Sequence, residues 1–311
     1  MEKTIKGIHH ITAIAGDAKR NYDFYTRILG LRLIKKTVNF DDPETYHLYY
    51  GDKMGTPGSI LTFFPNEGIP TGRPGARQAT AIGFSIDKAS FDFWQQRFEE
   101  NGVNFLEVGE KFSEPYLTVF DPDGLRLELI GSSKEDIRLP WASKEVPGDN
   151  ALKGFHNITL TLNELAPTQH ILTKVFGYQL TEQKDNLFRF ITNSVPNAAI
   201  VDILVSKSEV PGHVSVGSVH HVAFRVKDEK TLMQFRDTII GLGLRVTEKI
   251  DRNYFYSIYF REPGGVLFEL ATENPGFMVD ETLETLGEKL MLPVQYEQLR
   301  ETLEITLPKL A

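Results

Sequence analysis

The stretch Gly7-Ile8-His9-His10-Ile11-Thr12 returns far downstream as Ser218-Val219-His220-His221-Val222-Ala223, and the later copy closes in Gly264-Gly265-Val266-Leu267-Phe268-Glu269-Leu270. Apolar residues alternating with others over such a run indicate a strand, whose successive side chains point to opposite faces. In the later copy His220, Val222, Phe224 and Val226 form a largely apolar row, with His221, Ala223 and Arg225 opposite. In the earlier copy His9, Ile11 and Ala13 oppose His10, Thr12 and Ile14, and in the closing strand Val266, Phe268 and Leu270 leave Leu267 and Glu269 on the other side. Alternation thus sets His10, His221 and Glu269 away from the packing rows. The same rule sends His9 and His220 to the packing side.

Working outward, the pattern is a fourfold repeat. The first unit runs from about Gly7 to Phe64 and reads as a strand, an amphipathic helix over Ala18 to Ile28 carrying Tyr22, Tyr25 and Ile28, and three further strands. The second, about Ala79 to Gly131, has Phe91, Trp94 and Phe98 on its helix and closes on Arg126-Leu127-Glu128-Leu129. The third, about Gly154 to Ser206, opens with Phe155-His156-Asn157, and the fourth spans about Ser218 to Thr272. Each unit reads βαβββ, with a glycine after each helix suited to a left-handed cap.

Composition excludes several classes. With 311 residues, 41% hydrophobic and 24% charged, the chain is long enough for about two domains with real cores. A net charge of −8 argues against a nucleic-acid partner. No apolar run could span a bilayer, and Met1-Glu2-Lys3-Thr4 shows no export signal, so a cytoplasmic location is expected. Cysteine is absent, which removes disulfides, thiolate ligands and cysteine nucleophiles together. Asn66 to Gln78 and Ser132 to Asn150 read as connections, the second offering Trp141 for packing. The tail from Asp280 places leucines at near-helical intervals and is expected to cover a surface or contact another subunit in a homo-oligomer.

Two imidazoles and a carboxylate are a ligand set for mononuclear iron(II) with open coordination positions. A carboxylate on an otherwise apolar strand also calls for a partner or a metal. Together with Tyr46-His47-Leu48-Tyr49-Tyr50, Gly55-Thr56-Pro57-Gly58, Asp251-Arg252, Tyr254-Phe255 and Tyr259, these elements resemble the vicinal oxygen chelate superfamily, and within it the hydroquinone ring-cleaving dioxygenases. The resemblance covers nearly the whole chain. It implies an α+β fold of four βαβββ modules paired into two cup-shaped mixed-sheet barrels, modules one and two in 1–150, modules three and four with a helical tail in 151–311. It further implies iron(II), with manganese(II) also acceptable, held by His10, His221 and Glu269. That ligand set requires modules one and four to share the metal cup. An aromatic substrate, hydroquinone-like or catechol-like, and dioxygen would then meet at the metal, with Tyr259, Arg252, His220, His9 and Thr12 as acid–base or substrate-contacting candidates.

Alternatives stay open at this level. Pairing of consecutive modules would instead bring His156 beside His221 and Glu269. The same fold could carry a glyoxalase-like lyase or isomerase, or a protein that sequesters aromatic compounds without a metal, because function belongs to the site. In the second module only Glu128 echoes the ligand pattern, and it is expected to meet a basic group.

Overall fold

Alternation produces strands in all four units. In the computed structural model, which describes residues 4–132, 134 and 136–310, module one contributes β1 (Ile8–Ala15), β2 (Arg32–Asn39), β3 (Asp42–Gly51) and β4 (Ile60–Pro65). Met1 to Lys3, part of the stretch read for an export signal, lie outside the described residues, as does Ala311 at the end of the tail. Module two supplies β5 (Gln78–Ile86), β6 (Gly109–Lys111), β7 (Glu114–Phe120) and β8 (Arg126–Gly131). Module three supplies β9 (Phe155–Leu162), β10 (Gln179–Lys184), β11 (Leu187–Ile191) and β12 (Ile200–Val205). Module four supplies β13 (Ser218–Val226), β14 (Ile250–Asp251), β15 (Phe255–Arg261) and β16 (Leu267–Pro275).

After each first strand comes a helix: α1 (Ala18–Asp23), α2 (Phe91–Glu100), α3 (Ala166–His170) and α4 (Glu229–Gly241), the first and third continuing into π turns. Each lays aromatic or aliphatic side chains on its sheet: Phe24 and Tyr25 after α1, Trp94 and Phe98 on α2, Ile171 and Leu172 after α3, Phe235 and Ile239 on α4. Fully burying such a side chain contributes about 1.5–3 kcal/mol, so these faces fix each helix against its strands. Gly30, Gly102, Gly177 and Gly243 all have positive φ at the helix exits.

The strands form two eight-stranded mixed sheets, ordered β14-β15-β16-β13-β1-β4-β3-β2 and β10-β11-β12-β9-β5-β8-β7-β6, curled into half-barrels. The fold is the α+β arrangement of paired βαβββ units. One sheet joins modules one and four through antiparallel β1 and β13, the other modules two and three through β5 and β9.

Both central ladders carry two register shifts. Ile8 faces Phe224 and His10 faces Ala223, leaving His9 as an extra residue. Thr12 faces His221 and Ala13 faces Val219, leaving His220 extra. In the other sheet Thr80 and His156 are the extra residues. A β-bulge of this kind turns two consecutive side chains to one face. It corrects the strict alternation: the core rows are Ile8, Ile11, Ala13 and Val219, Val222, Phe224, Val226, while both histidines of each pair turn toward the concave side, where their rings contact one another.

The tail, including α5 (Arg300–Thr306), runs along β2 and β3. Leu290 bridges Lys36, Leu303 and Leu307 are buried, and fully buried Lys35 pairs with Asp280 at 2.6 Å and Glu281 at 2.5 Å. Trp141 of the inter-half connection packs under the Arg32 guanidinium, 5.1 Å from its ring centre. No helix of the described residues is long and apolar enough to cross a membrane.

Candidate metal centre

His10 on β1, His221 on β13 and Glu269 on β16 converge because these three strands are neighbours at the centre of one sheet. One ligand atom from each lies within 4.8 Å of the other two, and all three residues are buried. Oε2 of Glu269 stands 2.9 Å from His221 Nε2 and 3.2 Å from His10 Nε2, and the two nitrogens are 3.4 Å apart.

Hydrogen positions follow from the neighbours. Nε2 of His9 lies 3.1 Å from the Thr272 carbonyl oxygen, which only accepts, so His9 carries its hydrogen on Nε2. Burial, helped by the neighbouring His10, holds His9 well below the usual imidazole range, so it has one hydrogen to place. Its Nδ1 therefore accepts from His10 Nδ1 at 2.9 Å, which leaves Nε2 as the His10 nitrogen that faces Glu269. His220 and His221 repeat the contact at 2.8 Å between Nδ1 atoms.

Both oxygens of the fully buried Glu269 lack a hydrogen-bond partner among the described residues; the histidine nitrogens are close but do not approach with hydrogen-bond geometry. A buried carboxylate without a hydrogen-bond partner is costly. A divalent cation at the convergence point would relieve it, and two nitrogens with one carboxylate are donors suited to a first-row metal. The residues fit a metal.

A cavity of about 510 Å³ opens onto this triad. Its wall includes His10, His221, His220, Tyr259, Arg252 and His47, with Phe64, Phe255 and Leu267 among the apolar faces. The Tyr259 ring is 5.5 Å from that of His221, and the Arg252 guanidinium lies 5.3 Å from the Tyr259 ring centre. Burial, reinforced by Glu269, pushes the Tyr259 hydroxyl above its ordinary range, so it keeps its proton at neutral pH. His220 is pushed down to about 3 by burial and by His221 and is neutral as well. Of the five acid–base and contact candidates, Tyr259, Arg252 and His220 line the cavity. His9 and Thr12 do not: His9 stands behind His10, and Thr12 is fully buried against Thr62.

His47 and Tyr49 were not among those candidates, yet both form the cavity wall. The signal was present in β3, where Tyr46, Leu48 and Tyr50 pack into the core and leave Thr45, His47 and Tyr49 on the other row.

By register, Asn157, Ala81 and Glu128 occupy in the second sheet the places of His10, His221 and Glu269. His156 is the counterpart of His9 and lies in the other cup, 3.2 Å from Glu114. Glu128 meets the ammonium of Lys111 and the Arg126 guanidinium, and Arg189 links Glu114 at 2.6 Å to Asp202 at 2.8 Å. Charges balance there without an ion.

Known proteins resemble this chain over most of its length. The family model described as Glyoxalase/Bleomycin resistance protein/Dioxygenase superfamily matches residues 7–129 and 154–270. MhqO of Bacillus subtilis strain 168, named as a ring-cleaving dioxygenase, is 41% identical over 98% of this chain and 96% of its own length. The chlorohydroquinone/hydroquinone 1,2-dioxygenase of Sphingobium indicum is 34% identical over 97% and 96%. A Bacillus subtilis protein crystallised as a dioxygenase superposes with a TM-score of 0.95 at 41% identity, covering 100% of this chain and 99% of that one. Glyoxalase I from Zea mays, at 16% identity and TM-score 0.66 over 91% and 97%, shares the fold.

Proposed function

Since the chain belongs to the Glyoxalase/Bleomycin resistance protein/Dioxygenase superfamily, we propose that this ring-cleaving dioxygenase is an iron(II)-dependent, extradiol-type enzyme acting on hydroquinone-like or catechol-like aromatics. The observation that carries the reading is the orphaned Glu269 carboxylate set against His10 and His221 beneath an aromatic-walled cavity. The name of the Sphingobium relative supports hydroquinones as the first substrates to try.

What iron(II) supplies when bound is a set of open positions where a phenolic oxygen and dioxygen are held together, removing the cost of a chance encounter. Manganese(II) accepts the same ligands. The protein does the rest. His9 and His220 orient the ligand imidazoles through their Nδ1 contacts, the arrangement that makes a histidine a firm and basic ligand. Phe64 and Phe255 offer apolar faces to an aromatic ring and keep water out. Tyr259 holds a proton at its hydroxyl and can deliver it to a developing oxyanion. Arg252 places positive charge beside that hydroxyl and stabilises a bound phenolate. With His221 donating from Nδ1, His220 would carry its hydrogen on Nε2 and offer it to the cavity.

The test is anaerobic reconstitution with iron(II) or manganese(II), followed by oxygen uptake with a panel of hydroquinones and catechols. One oxygen molecule consumed per ring opened is expected. A metal-loaded protein that takes up no oxygen with any of them, yet isomerises a carbonyl adduct, would overturn the reading in favour of lyase chemistry.

A further inference from the structure

Behind the cavity wall runs a chain of four side chains. Thr12 Oγ1 is 2.8 Å from Thr62 Oγ1, Thr62 Oγ1 is 2.9 Å from His47 Nε2, and His47 Nδ1 is 2.9 Å from Tyr49 Oη. Thr12 and Thr62 are fully buried, and Thr12 has no other side-chain hydrogen-bond partner among the described residues. Only Tyr49, at the far end, and His47 reach the cavity.

The geometry leaves two directions for the hydrogens. His47 is neutral, since burial, with His10 next in weight, holds it well below the usual imidazole range. It therefore carries one hydrogen and accepts at its other nitrogen. If Tyr49 donates to His47, then His47 donates to Thr62, Thr62 to Thr12, and the Thr12 hydrogen is left in the protein interior with nothing to bond. If Thr12 donates to Thr62, Thr62 donates to Nε2, His47 donates from Nδ1 to the Tyr49 oxygen, and the unspent hydrogen is that of Tyr49, at the cavity. A buried donor without an acceptor bears its whole desolvation cost, whereas one at a cavity is met by water or ligand.

We propose that Tyr49 is a hydrogen-bond donor to an oxygen of the bound aromatic, and that Thr62 and His47 are positioning residues that hold its hydroxyl hydrogen toward the cavity. The proposal rests on the reading of the ligand as a phenol or phenolate, which supplies the accepting oxygen. It gives Thr62 a part in recognition without contact. It also sets a polar anchor on β3, apart from the metal ligands.

The direction of the chain is measured without any ligand. Nitrogen-15 NMR of the purified chain, with the His47 signals identified by their loss in His47→Gln, should show the Nδ1–H tautomer. Thr12→Val should leave His47 as Nδ1–H, because the Thr62 hydrogen still needs Nε2 as its acceptor, whereas Thr62→Val removes the partner of Nε2 and should release His47 to a mixture with Nε2–H; Thr62→Ser keeps the hydroxyl and should stay Nδ1–H. Should Thr62→Val fail to fold, the tautomer of the unsubstituted chain and the binding of Tyr49→Phe still decide. An Nε2–H tautomer in the unsubstituted protein overturns the proposal. Hydroquinone titrated under nitrogen supplies the second readout. Tyr49→Phe should weaken binding by roughly fivefold or more, the size of one hydrogen bond. Thr62→Val should weaken it in the same direction, and the Thr62→Val/Tyr49→Phe double variant should be no weaker than Tyr49→Phe, because the two act through one bond. Unchanged affinity in Tyr49→Phe overturns the donor role. Absence of oxygen uptake would sink the dioxygenase reading while these two readouts still support Tyr49; absence of any hydroquinone binding by the unsubstituted chain overturns both.

Discussion

Nε2 of His9 is tied to the Thr272 carbonyl at 3.1 Å, whereas Nε2 of His220, the corresponding atom of the second pair, faces the cavity with no hydrogen-bond partner among the described residues. Two near-identical His-His motifs thus end differently, one in the backbone and one at the ligand space.

This difference separates two variants. His9→Ala removes the acceptor that fixes His10, so metal affinity should fall by about 10–100-fold, the usual cost of losing such a partner, and excess metal should restore most turnover. His220→Ala should leave a turnover defect that metal does not restore. A metal titration of both variants, read by bound metal and by oxygen uptake, decides it. Equal rescue of the two would mean that His220 also serves only its neighbour.

Substitution of His10, His221 or Glu269 by Ala should abolish most metal binding and nearly all activity while the chain stays folded by circular dichroism. His156→Ala should leave the metal content intact, because His156 lies in the other sheet, bonded to Glu114. Retention of full metal by His10→Ala would refute the triad.

Tyr259→Phe changes shape little and removes the hydroxyl, so turnover should drop by about 10²-fold or more if that group delivers a proton. Arg252→Ala should chiefly raise KM, since the guanidinium favours a bound phenolate before and during the reaction alike. Steady-state kinetics at matched metal content give the answer. Unchanged kinetics in Tyr259→Phe would leave that tyrosine as cavity lining.

Asp121 gives a stability prediction with a definite sign. Burial pushes its carboxyl up to about 6, against hydrogen bonds from Leu125 N at 2.8 Å and Tyr25 Oη at 3.0 Å. The unfolded chain binds this proton only below about pH 4. Its contribution is therefore fully present below that point and is lost as pH rises through 6, a swing of about 3 kcal/mol. Asp121→Asn keeps the Oδ1 acceptor for the backbone N–H groups of Asp123 and Leu125 and carries no charge. Its melting temperature relative to the unsubstituted chain should climb between pH 4.5 and 7.5, about 1.5 units either side of the folded pKa; a flat difference would contradict it.

The βαβββ order and the meeting of His10, His221 and Glu269 on one face could be read from periodicity, because strands of alternating pattern leave few places for a carboxylate and two imidazoles. Placement of His9 and His220 could not. A bulge adds one residue to a ladder, and the sequence on one strand carries no mark of it, since the extra residue is defined only against the partner strand. The chain Thr12, Thr62, His47, Tyr49 was hidden for a related reason. It crosses three strands, and only the register of β1 with β4 and of β3 with β4 brings those hydroxyls and the imidazole together. Lys111 facing Glu128 needed the same kind of cross-strand knowledge.

The joining of the first module to the last has a consequence for biosynthesis. The sheet built on β5 and β9 has all its strands once Val205 has left the ribosome, whereas β1 waits for β13 and Glu269 arrives on β16. Until then the nascent chain holds a four-stranded half-sheet with an open edge at β1, presenting His9 and His10 with no metal partner. Contacts of such sequence separation form late and leave exposed edges in the meantime. Metal loading through this triad would thereby be confined to nearly finished chains, and truncated products that end before β16 cannot assemble it.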